Sequence, residues 1–558
     1  MRRLRTSKPQ NLPLTIPTAR WLTWADCALV FLAITIVFAV HSGGRVPESN
    51  EPYYLAKAKH YWDPSWIADD FFLDSADSHW TFYVTLGWLA KWITLPALAW
   101  TGRLLTWGLL AVAWQRLSFA IAPRWGLAAL SAAGFVCLNE GCHMAGEWVV
   151  GGFEAKGIAY ALVIAALAEM VRNRWNPTWI LLGAASAFHV LVGGWSTLAV
   201  GFCWITAGAT RVPIRSMRFG LLGGLGLSLF GLMPALALTR GVEHSVLVEA
   251  NHIYVYHRLS HHLYFNDFPA RFIVRHAVLL VCWLALCRFL PGDAARWRLH
   301  RVVAGAVLIA LVGVAISSLA TLYPVWAAGW LRFYWFRLSD AMLPLGVALE
   351  VTAALVQLSQ VSHKLDAQAR EPASSLARRD HAYSRRSLAA TVAVAGIVIA
   401  YLGFHAIDSR PSAVPRADKP GKVDNYADWR AACEWIANNT PAHARFLTPR
   451  GAQTFKWYAQ RSEVATWKDI PQDSASIVEW WGRLKEIHAE DPRASDPDWR
   501  KLLADLSPTK LAELGARYRA AYVLTSSEPR LDLPCEYRND TYAVYTLPHE
   551  GPGSVDRR

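Results

Sequence analysis

Residues 21–40, WLTWADCALVFLAITIVFAV, form an apolar run that is followed at 47–54 by the acidic and aromatic stretch PESNEPYY. A membrane-spanning helix needs about 20 residues. The preceding residues 1–20 contain no acid, and their basic residues are Arg2, Arg3, Arg5, Lys8 and Arg20. Basic flanks stay on the cytoplasmic side, and the run lacks a small-residue cleavage site. We therefore predict a cytoplasmic segment at 1–20, a retained first span, and an outside loop at 41–80.

Apolar segments continue this membrane pattern as far as residue 406. They lie at about 81–100, 101–121, 125–140, 157–172, 178–209, 217–238, 272–290, 302–322, 338–360 and 387–406. The 178–209 run is long enough for one tilted helix or for two short helices broken at Gly193-Gly194. An inside N-terminus and an outside C-terminus need an odd number of spans. We expect about eleven, with either one span or a re-entrant piece at 81–121, or a single crossing at 178–209.

The composition fits a membrane part joined to a soluble part. Only 18% of the 558 residues are charged, against roughly 25% in an average soluble chain. Mean hydropathy is +0.18, too low for a chain that is all membrane. The chain has a net charge of +13, and basic loops on the cytoplasmic face, such as 288–301 and 361–386, are the simplest explanation for a positive balance. We therefore expect a multi-pass protein of a bacterial inner membrane, with no nucleic-acid partner.

Residues 407–558 are predicted to form a small soluble α/β domain outside the membrane. Prolines 411, 415 and 420 mark a linker, and a helix pattern begins at Tyr426 and ends before Pro441. Apolar runs and helical patterns then alternate, which is typical of an α/β domain. The runs lie at Arg445–Leu447, Glu463–Thr466 and Ala521–Leu524, and the helical patterns at 474–489 and 508–517.

Two cysteines fall in this domain, Cys433 on its first helix and Cys535 near its last strand. An outside compartment permits a disulfide, and a bond here would close a loop of about 100 residues. Two buried free thiols are the alternative interpretation.

The first outer loop contains the most informative residues. Glu51 follows the first span and precedes an aromatic, amphipathic stretch at 52–62, PYYLAKAKHYW, and the acids Asp69 and Asp70 come next. This arrangement resembles the GT-C superfamily of membrane glycosyltransferases, whose first outside loop carries an acid near the end of the first helix. The resemblance covers the layout of most of the chain, with about eleven spans and an outside C-terminal domain, but its motif lies only within 48–80.

The GT-C superfamily includes protein mannosyltransferases, oligosaccharyltransferases and lipid A aminoarabinose transferases. The resemblance implies that this chain moves a sugar from a polyprenyl-phosphate donor, held among membrane lipid, to an acceptor outside. Such a transfer needs a base for the acceptor and cations for the departing phosphate. Glu51 is the expected base, and Asp69 and Asp70 would assist it or bind a divalent metal. Alternatively, Glu51 stabilises the N-terminus of a helix that begins at Pro52.

Two later stretches offer further charged groups for a substrate. Glu154, within EWVVGGFEAKG at 147–157, would occupy the second acidic position of the superfamily, or would pair with Lys156 at the interface. Arg332 and Arg337 lie among aromatic residues at the outer edge of a span. Arginine forks suit phosphate oxygens, so the resemblance assigns these two to the lipid phosphate, although arginines here also reach lipid headgroups.

Histidines form the remaining candidates. His261 and His262 belong to a group of four within NHIYVYHRLSHHLYF at 251–265. They are expected to contact a phosphate or an acceptor, with a metal site as the alternative. His189, in the apolar 178–209 run, either is a hydrogen-bonded core histidine or marks a broken helix near the site.

A second class of function is a transporter or lipid-handling membrane protein without catalysis, whose outer domain binds a partner. Broken helices and charges within the membrane suit transporters, but the sequence shows no inverted repeat. The two classes predict different cavities. An enzyme would bring Glu51, Asp69 or Asp70 and an arginine of 332–337 around one outward cavity, whereas a transporter would have a cavity at the membrane midplane.

Overall fold

The computed structural model describes residues 23–290, 292–368, 389, 392–393, 395–406 and 425–548. The predicted cytoplasmic segment, the proline linker and most of the basic loop at 361–386 lie outside the described residues.

Helices make up nearly all of the chain as far as residue 406. In chain order the α-helices are α1 (Trp24–Ser42), α2 (Glu51–Trp62), α3 (Trp80–Thr85), α4 (Leu95–Ile121), α5 (Trp125–Cys142), α6 (Ala155–Val171), α7 (Trp175–Phe188), α8 (Val190–Ile205), α9 (Arg218–Ala237), α10 (His244–His252), α11 (Ser260–Leu263), α12 (Ala270–Phe289), α13 (Ala294–Leu319), α14 (Pro324–Leu331), α15 (Arg337–Gln368) and α16 (Ala395–Ala406). Tighter 3-10 turns lie at Gly87–Lys91, Gly208–Thr210, Ile214–Ser216 and Phe265–Asp267, and a π-helical turn lies at Ile253–Arg258.

Within the described residues, six helices are long and apolar enough to cross a membrane, namely α1, α4, α9, α12, α13 and the 337–358 part of α15. A seventh is added if α8 and the turns up to Ser216, which are bent by 110°, count as one span. The predicted 81–121 segment contains one long helix, α4. Its first part forms only α3 and the 3-10 turn that follows.

The 178–209 run is broken at His189, so the predicted break at Gly193-Gly194 is wrong. Phe188 ends α7 and Val190 begins α8. Gly193 lies within α8, where an added Cβ would stand 2.2 Å from the backbone nitrogen of Ser186 in α7. The glycine therefore permits close packing of the two helices and leaves the helix intact. Its effect is steric, because small residues let membrane helices approach each other.

The C-terminal domain, residues 425–548, is a mixed sheet with helices around it; we call it the outer domain because the sequence predicts it to lie outside the membrane. Its elements are α17 (Tyr426–Asn439), β1 (Arg445–Leu447), α18 (Phe455–Ala459), β2 (Ser462–Glu463), α19 (Ser474–His488), the 3-10 turn Leu503–Asp505, α20 (Pro508–Tyr518), β3 (Tyr522–Ser526), β4 (Cys535–Arg538) and β5 (Tyr542–Thr546). The strand order is β2-β1-β3-β5-β4; β1 pairs in parallel with β2 and β3, and β5 pairs antiparallel with β3 and β4. Cys433 is buried, Cys535 is exposed, and both are free thiols.

The outer domain packs against the first outer loop through an apolar contact. Trp457 of α18 belongs to the same buried cluster as Tyr53 of α2, Phe72 of the loop and Phe153, which precedes α6. The loop is thus held between the membrane helices and the outer domain, and this arrangement positions the cavity described next.

Candidate active site

A cavity of about 440 Å³ lies where the ends of several apolar helices meet the outer domain. It is lined by the first residues of α6, α8 and α15, by the last turn of α9, and by the stretch 468–472 of the outer domain. His189, at the break between α7 and α8, also lines it. The cavity is therefore at the ends of the helices and beneath the outer domain.

The lining of this cavity carries an excess of positive charge. Of the described residues that line it, five are basic and two are acidic. The basic ones are Lys156, Arg258, Arg332, Arg337 and Lys468, and the acidic ones are Glu147 and Glu154. Such an excess in a partly enclosed space attracts an anion.

Two of these arginines have no carboxylate partner among the described residues. Arg332 donates from Nη1 to the Asn251 side-chain oxygen at 2.6 Å. Arg258 is 7% exposed and donates from Nε to the Trp467 carbonyl at 2.9 Å. Arg258 is buried and Arg332 is half-buried. Because a cation removed from water usually has an ionic partner, these two guanidinium groups are suited to an anionic ligand.

The remaining charges form a short chain across the cavity wall. Arg337 Nε lies 3.0 Å from Glu147 Oε2, and Lys156 Nζ lies 3.7 Å from the same oxygen. Lys156 also approaches Glu154 Oε1 at 3.8 Å and sits over the Trp148 ring. The pairing of Glu154 with Lys156 that the sequence allowed is therefore present, and it lies within the cavity.

Two of the histidines that line the cavity, His79 and His262, are uncharged at neutral pH because burial lowers their pKa. Burial is the largest cause that lowers the pKa of His79 to about 4. Burial, with His261 beside it, also lowers the pKa of His262, whose Nδ1 lies 2.5 Å from the Ala145 carbonyl. His257, which belongs to the π-helical turn, stacks on Trp481 of the outer domain instead. At neutral pH, His79 and His262 therefore offer polar contacts to a ligand without adding charge.

A small recess with room for about one water molecule opens beside the cavity, and it contains Glu48. The recess shares Asn50, Trp148 and Glu154 with the main cavity. Although 38% of the Glu48 side chain is exposed, its Oε2 is buried without a hydrogen-bond partner among the described residues. Burial raises the pKa of this carboxyl to about 7 despite the nearby Arg103.

Glu51 also lines the recess, but both of its carboxylate oxygens accept hydrogen bonds. Its Oε1 accepts from Arg103 Nε at 2.7 Å and from the Phe153 backbone at 2.9 Å. Its Oε2 accepts from Arg103 Nη2 and from the Glu48 backbone, both at 2.7 Å. Glu51 is 1% exposed and Arg103 is 0% exposed, so the pair holds the first outer loop against α4 and does not line the cavity.

Asp69 and Asp70 lie away from the cavity, at the contact with the outer domain. Asp69 is exposed, and its carbonyl accepts from Arg445 Nη2 at 2.5 Å. Asp70 is 0% exposed; its Oδ1 accepts from the backbones of Phe72 and Leu73, and its Oδ2 accepts from the backbone of Glu463. Both aspartates therefore join the loop to the outer domain.

The structure thus brings together all five side chains that the sequence assigned to substrate binding: Glu154, His261, His262, Arg332 and Arg337. Of the three predicted catalytic acids, Glu51 lines the recess and the two aspartates lie elsewhere. Sequence reasoning did not select Glu48, Glu147 or Arg258, and it considered Lys156 only as a partner of Glu154. Glu48 lies within one helical turn of Glu51, and Glu147 and Lys156 belong to the same stretch, 147–157, as Glu154.

The sequence matches known families only locally. A model of a domain of unknown function, DUF6798, matches residues 427–487, which run from α17 to α19. No curated protein matches the chain.

Similar solved structures cover most of the chain at low identity. ArnT from Cupriavidus metallidurans bound to undecaprenyl phosphate is 13% identical, with 95% of this chain and 100% of that one covered and a TM-score of 0.45. The oligosaccharyltransferase AglB from Archaeoglobus fulgidus, with an inhibitory peptide and a dolichol-phosphate, is 11% identical over 90% of this chain and 70% of that one, with a TM-score of 0.41. An Archaeoglobus fulgidus oligosaccharyltransferase in complex with Zn and sulfate is 12% identical over 89% and 67%, with a TM-score of 0.44.

Two of these three proteins are oligosaccharyltransferases, one of the enzyme types in the superfamily that the first outer loop resembles. With TM-scores below 0.5, the similarities carry no argument about what this chain does. The chain itself is mostly helical, with several candidate membrane spans and a small C-terminal mixed-sheet domain.

Proposed function

We propose that this protein is a membrane glycosyltransferase that moves a sugar from a polyprenyl-phosphate donor to an acceptor outside the membrane. The observation that carries the proposal is the cavity with five basic and two acidic residues, in which Arg332 and Arg258 have no carboxylate partner among the described residues. Guanidinium groups form strong, charge-assisted bonds to phosphate. They would also stabilise the phosphate as it leaves the sugar.

The apolar part of the cavity supports a lipid-linked ligand. Leu232, Ala235 and Leu236 of α9 line it together with Val190 and Leu191 of α8. Leu236 is also 57% exposed, so the cavity continues onto the apolar outer face of α9. A phosphate at the arginines would therefore leave the polyprenyl chain beside a lipid-facing helix.

The proposed topology uses every long apolar helix. If the shorter α5, α6, α7, α8 and α16 cross as α1, α4, α9, α12, α13 and α15 do, the described residues hold eleven spans. An inside N-terminus at 1–20 then puts the loop 41–80, the cavity and the domain 407–558 on the outside. Basic residues in the loops opposite the cavity, such as Arg172, Arg211 and Arg298, agree with this orientation under the positive-inside rule. The inner membrane of a bacterium is the proposed location.

Within this proposal Glu48 is the general base. A base works best when its pKa lies near the working pH, and burial raises that of Glu48 to about 7. Its buried Oε2 is free to accept a proton from an acceptor hydroxyl in the recess. Glu51, the base predicted from the sequence, would instead position the loop through Arg103. Glu154, His261, His262 and Arg337 would contact the sugar, the acceptor or the phosphate.

The test measures binding of undecaprenyl phosphate to the full-length protein in detergent by native mass spectrometry. Arg332→Ala should weaken binding about 10- to 100-fold, because it removes one charge-assisted bond. Arg271→Ala is a matched control. Arg271, in the first turn of α12, is exposed and stacks on the next residue, Phe272, as Arg332 does on Phe333, but it does not line the cavity.

Two control lipids distinguish a binding site for the donor phosphate from an arginine that only anchors lipid headgroups. Undecaprenol lacks the phosphate and should bind weakly to wild type and Arg332→Ala alike. The affinity for phosphatidylglycerol should be the same in wild type and in Arg332→Ala. Equal binding of undecaprenyl phosphate by wild type, Arg332→Ala and Arg271→Ala would overturn the proposal. Release of free polyprenyl phosphate from sugar-charged donors in membranes containing the protein would then distinguish transfer from mere lipid handling.

A further inference from the structure

A second cluster of metal-ligating side chains lies apart from the cavity. His41 is in the last turn of α1, Glu140 is in the last turn of α5, and His405 is in the last described turn of α16. Among the described residues, this is the group whose histidine and carboxylate ligand atoms all lie within 4.8 Å of one another. None of the three lines the cavity or the recess.

The ligand atoms are already close to the spacing that a metal needs. Glu140 Oε2 lies 3.9 Å from His41 Nδ1 and 2.6 Å from His405 Nε2. Ligands around a tetrahedral zinc ion at 2.0–2.1 Å stand about 3.3 Å apart. The two distances from Glu140 Oε2 each differ from this spacing by under an ångström, and side-chain rotation can supply such shifts at a partly exposed site.

The surroundings favour a cation at this position. The C-terminal ends of α1 and α5 meet here, and each carries the partial negative charge of a helix C-terminus. The Tyr401 hydroxyl contacts the Glu140 carboxylate and lies 3.1 Å from His41 Nδ1. A hydroxyl in that place orients a ligating carboxylate, as outer-shell partners of metal sites do.

We propose that His41, Glu140 and His405 form a binding site for a zinc-class divalent metal that ties α16 to α1 and α5. Two imidazoles and one carboxylate are a ligand set that zinc accepts, and they leave a fourth position for water. The site would fix the last helix before residues 407–424 and the outer domain. It is independent of the proposed transferase activity.

The experiment uses the full-length protein in detergent, stripped with a chelator and then dialysed against a small excess of Zn²⁺. Wild type should retain one equivalent of zinc by elemental analysis and unfold at a higher temperature than the stripped protein. His405→Ala and Glu140→Gln should lose that equivalent and the zinc-dependent rise in melting temperature. Tyr401→Phe should weaken zinc binding about 10- to 100-fold, because it removes an outer-shell partner.

His443→Ala is the matched control, because His443 is an exposed histidine on the outer domain. It should retain the zinc equivalent. Cobalt offers a readout that does not depend on stability, since Co²⁺ in a tetrahedral site of wild type should absorb in the visible range and His405→Ala should not. If His405→Ala binds as much zinc as wild type, or if chelation leaves wild type unchanged, the cluster is a hydrogen-bonded contact between helices and the proposal fails.

Discussion

Glu48 and Glu51 stand one helical turn apart and share Arg103, but they are hydrogen-bonded differently. Both oxygens of Glu51 accept from Arg103 and from backbone groups, whereas Glu48 Oε2 lies 3.9 Å from Arg103 Nη2 and has no hydrogen-bond partner among the described residues. If Glu48 is the base, kcat/KM should rise with pH through about 7, because the base must be deprotonated. Glu48→Gln should lower kcat about 10²- to 10⁴-fold and flatten this rise. The measurement is a pH profile of polyprenyl-phosphate release, and an unchanged profile in Glu48→Gln would exclude it.

Glu51→Gln should act on stability in the first place. The substitution breaks a buried ion pair and leaves Arg103 with only the Glu48 carboxylate, 3.9 Å away, as a countercharge. Breaking a buried ion pair typically costs at most about 3–5 kcal/mol. We expect a clearly lower melting temperature of the full-length protein, while any residual activity keeps its rise with pH through about 7. Wild-type stability combined with lost activity would instead restore Glu51 to the role of base that the sequence predicted.

Close contact between α7 and α9 is the feature of the helices that most directly shapes the cavity. A Cβ added at Gly183 of α7 would lie 2.0 Å from the carbonyl oxygen of Gly224 in α9. Gly183→Ala should therefore push α9 outward and destabilise the protein by about 1–3 kcal/mol through overpacking. Because α9 carries Leu232 and Leu236 into the cavity, affinity for undecaprenyl phosphate should fall as well.

The control for this substitution is a glycine of the facing helix, α9. An added Cβ at Gly226 meets nothing within 4 Å, so Gly226→Ala should leave the melting temperature unchanged or slightly higher, since alanine favours a helix over glycine. Equal melting temperatures for the two variants in thermal unfolding would show that α7 and α9 do not need the close approach.

Local patterns in the sequence predict the longer helices of the outer domain well because apolar residues recur there at helical spacing. Tyr426–Asn439 has the expected bounds to within a residue, and so does Ser474–His488. The misplaced break at Gly193-Gly194 shows the limit of that reasoning, because glycine serves close packing there and His189 ends the helix. The pairs Glu51–Arg103 and Glu147–Arg337 join residues 52 and 190 positions apart, and no local pattern indicates them.

At the scale of the whole molecule, the outer domain is joined to the first outer loop by a buried group of charges. Lys456 Nζ lies 2.7 Å from Glu463 Oε1, 2.7 Å from Asp469 Oδ2 and 3.7 Å from Asp70 Oδ2. One cation thus faces three carboxylates, each at most 5% exposed. Asp70 looked catalytic from the sequence because its partners lie almost 400 residues further along the chain.

This excess of carboxylates should make the joint between loop and domain sensitive to pH. Burial is the largest cause that raises the pKa of Glu463 to about 7, and Asp469 adds to the rise. The ordinary value is 4.5, so the folded state binds the proton more tightly than the unfolded state does. The resulting stabilisation is fully present below about pH 4.5 and is lost as the pH rises to about 7, and it amounts to no more than about 3 kcal/mol.

We therefore expect the melting temperature of the full-length protein to fall between pH 5 and pH 8, and Glu463→Gln to show a shallower fall. Glutamine keeps an oxygen for Lys456 and removes one negative charge from the joint. Glu48, with its own pKa of about 7, contributes a slope of the same sign, which Glu48→Gln measures separately. Hydrogen exchange in the loop at 63–79 should increase with pH beyond its intrinsic rate in wild type and less so in Glu463→Gln. Identical pH slopes in wild type and Glu463→Gln would mean that Glu463 stays ionised in the joint, with Lys456 neutralising it in full.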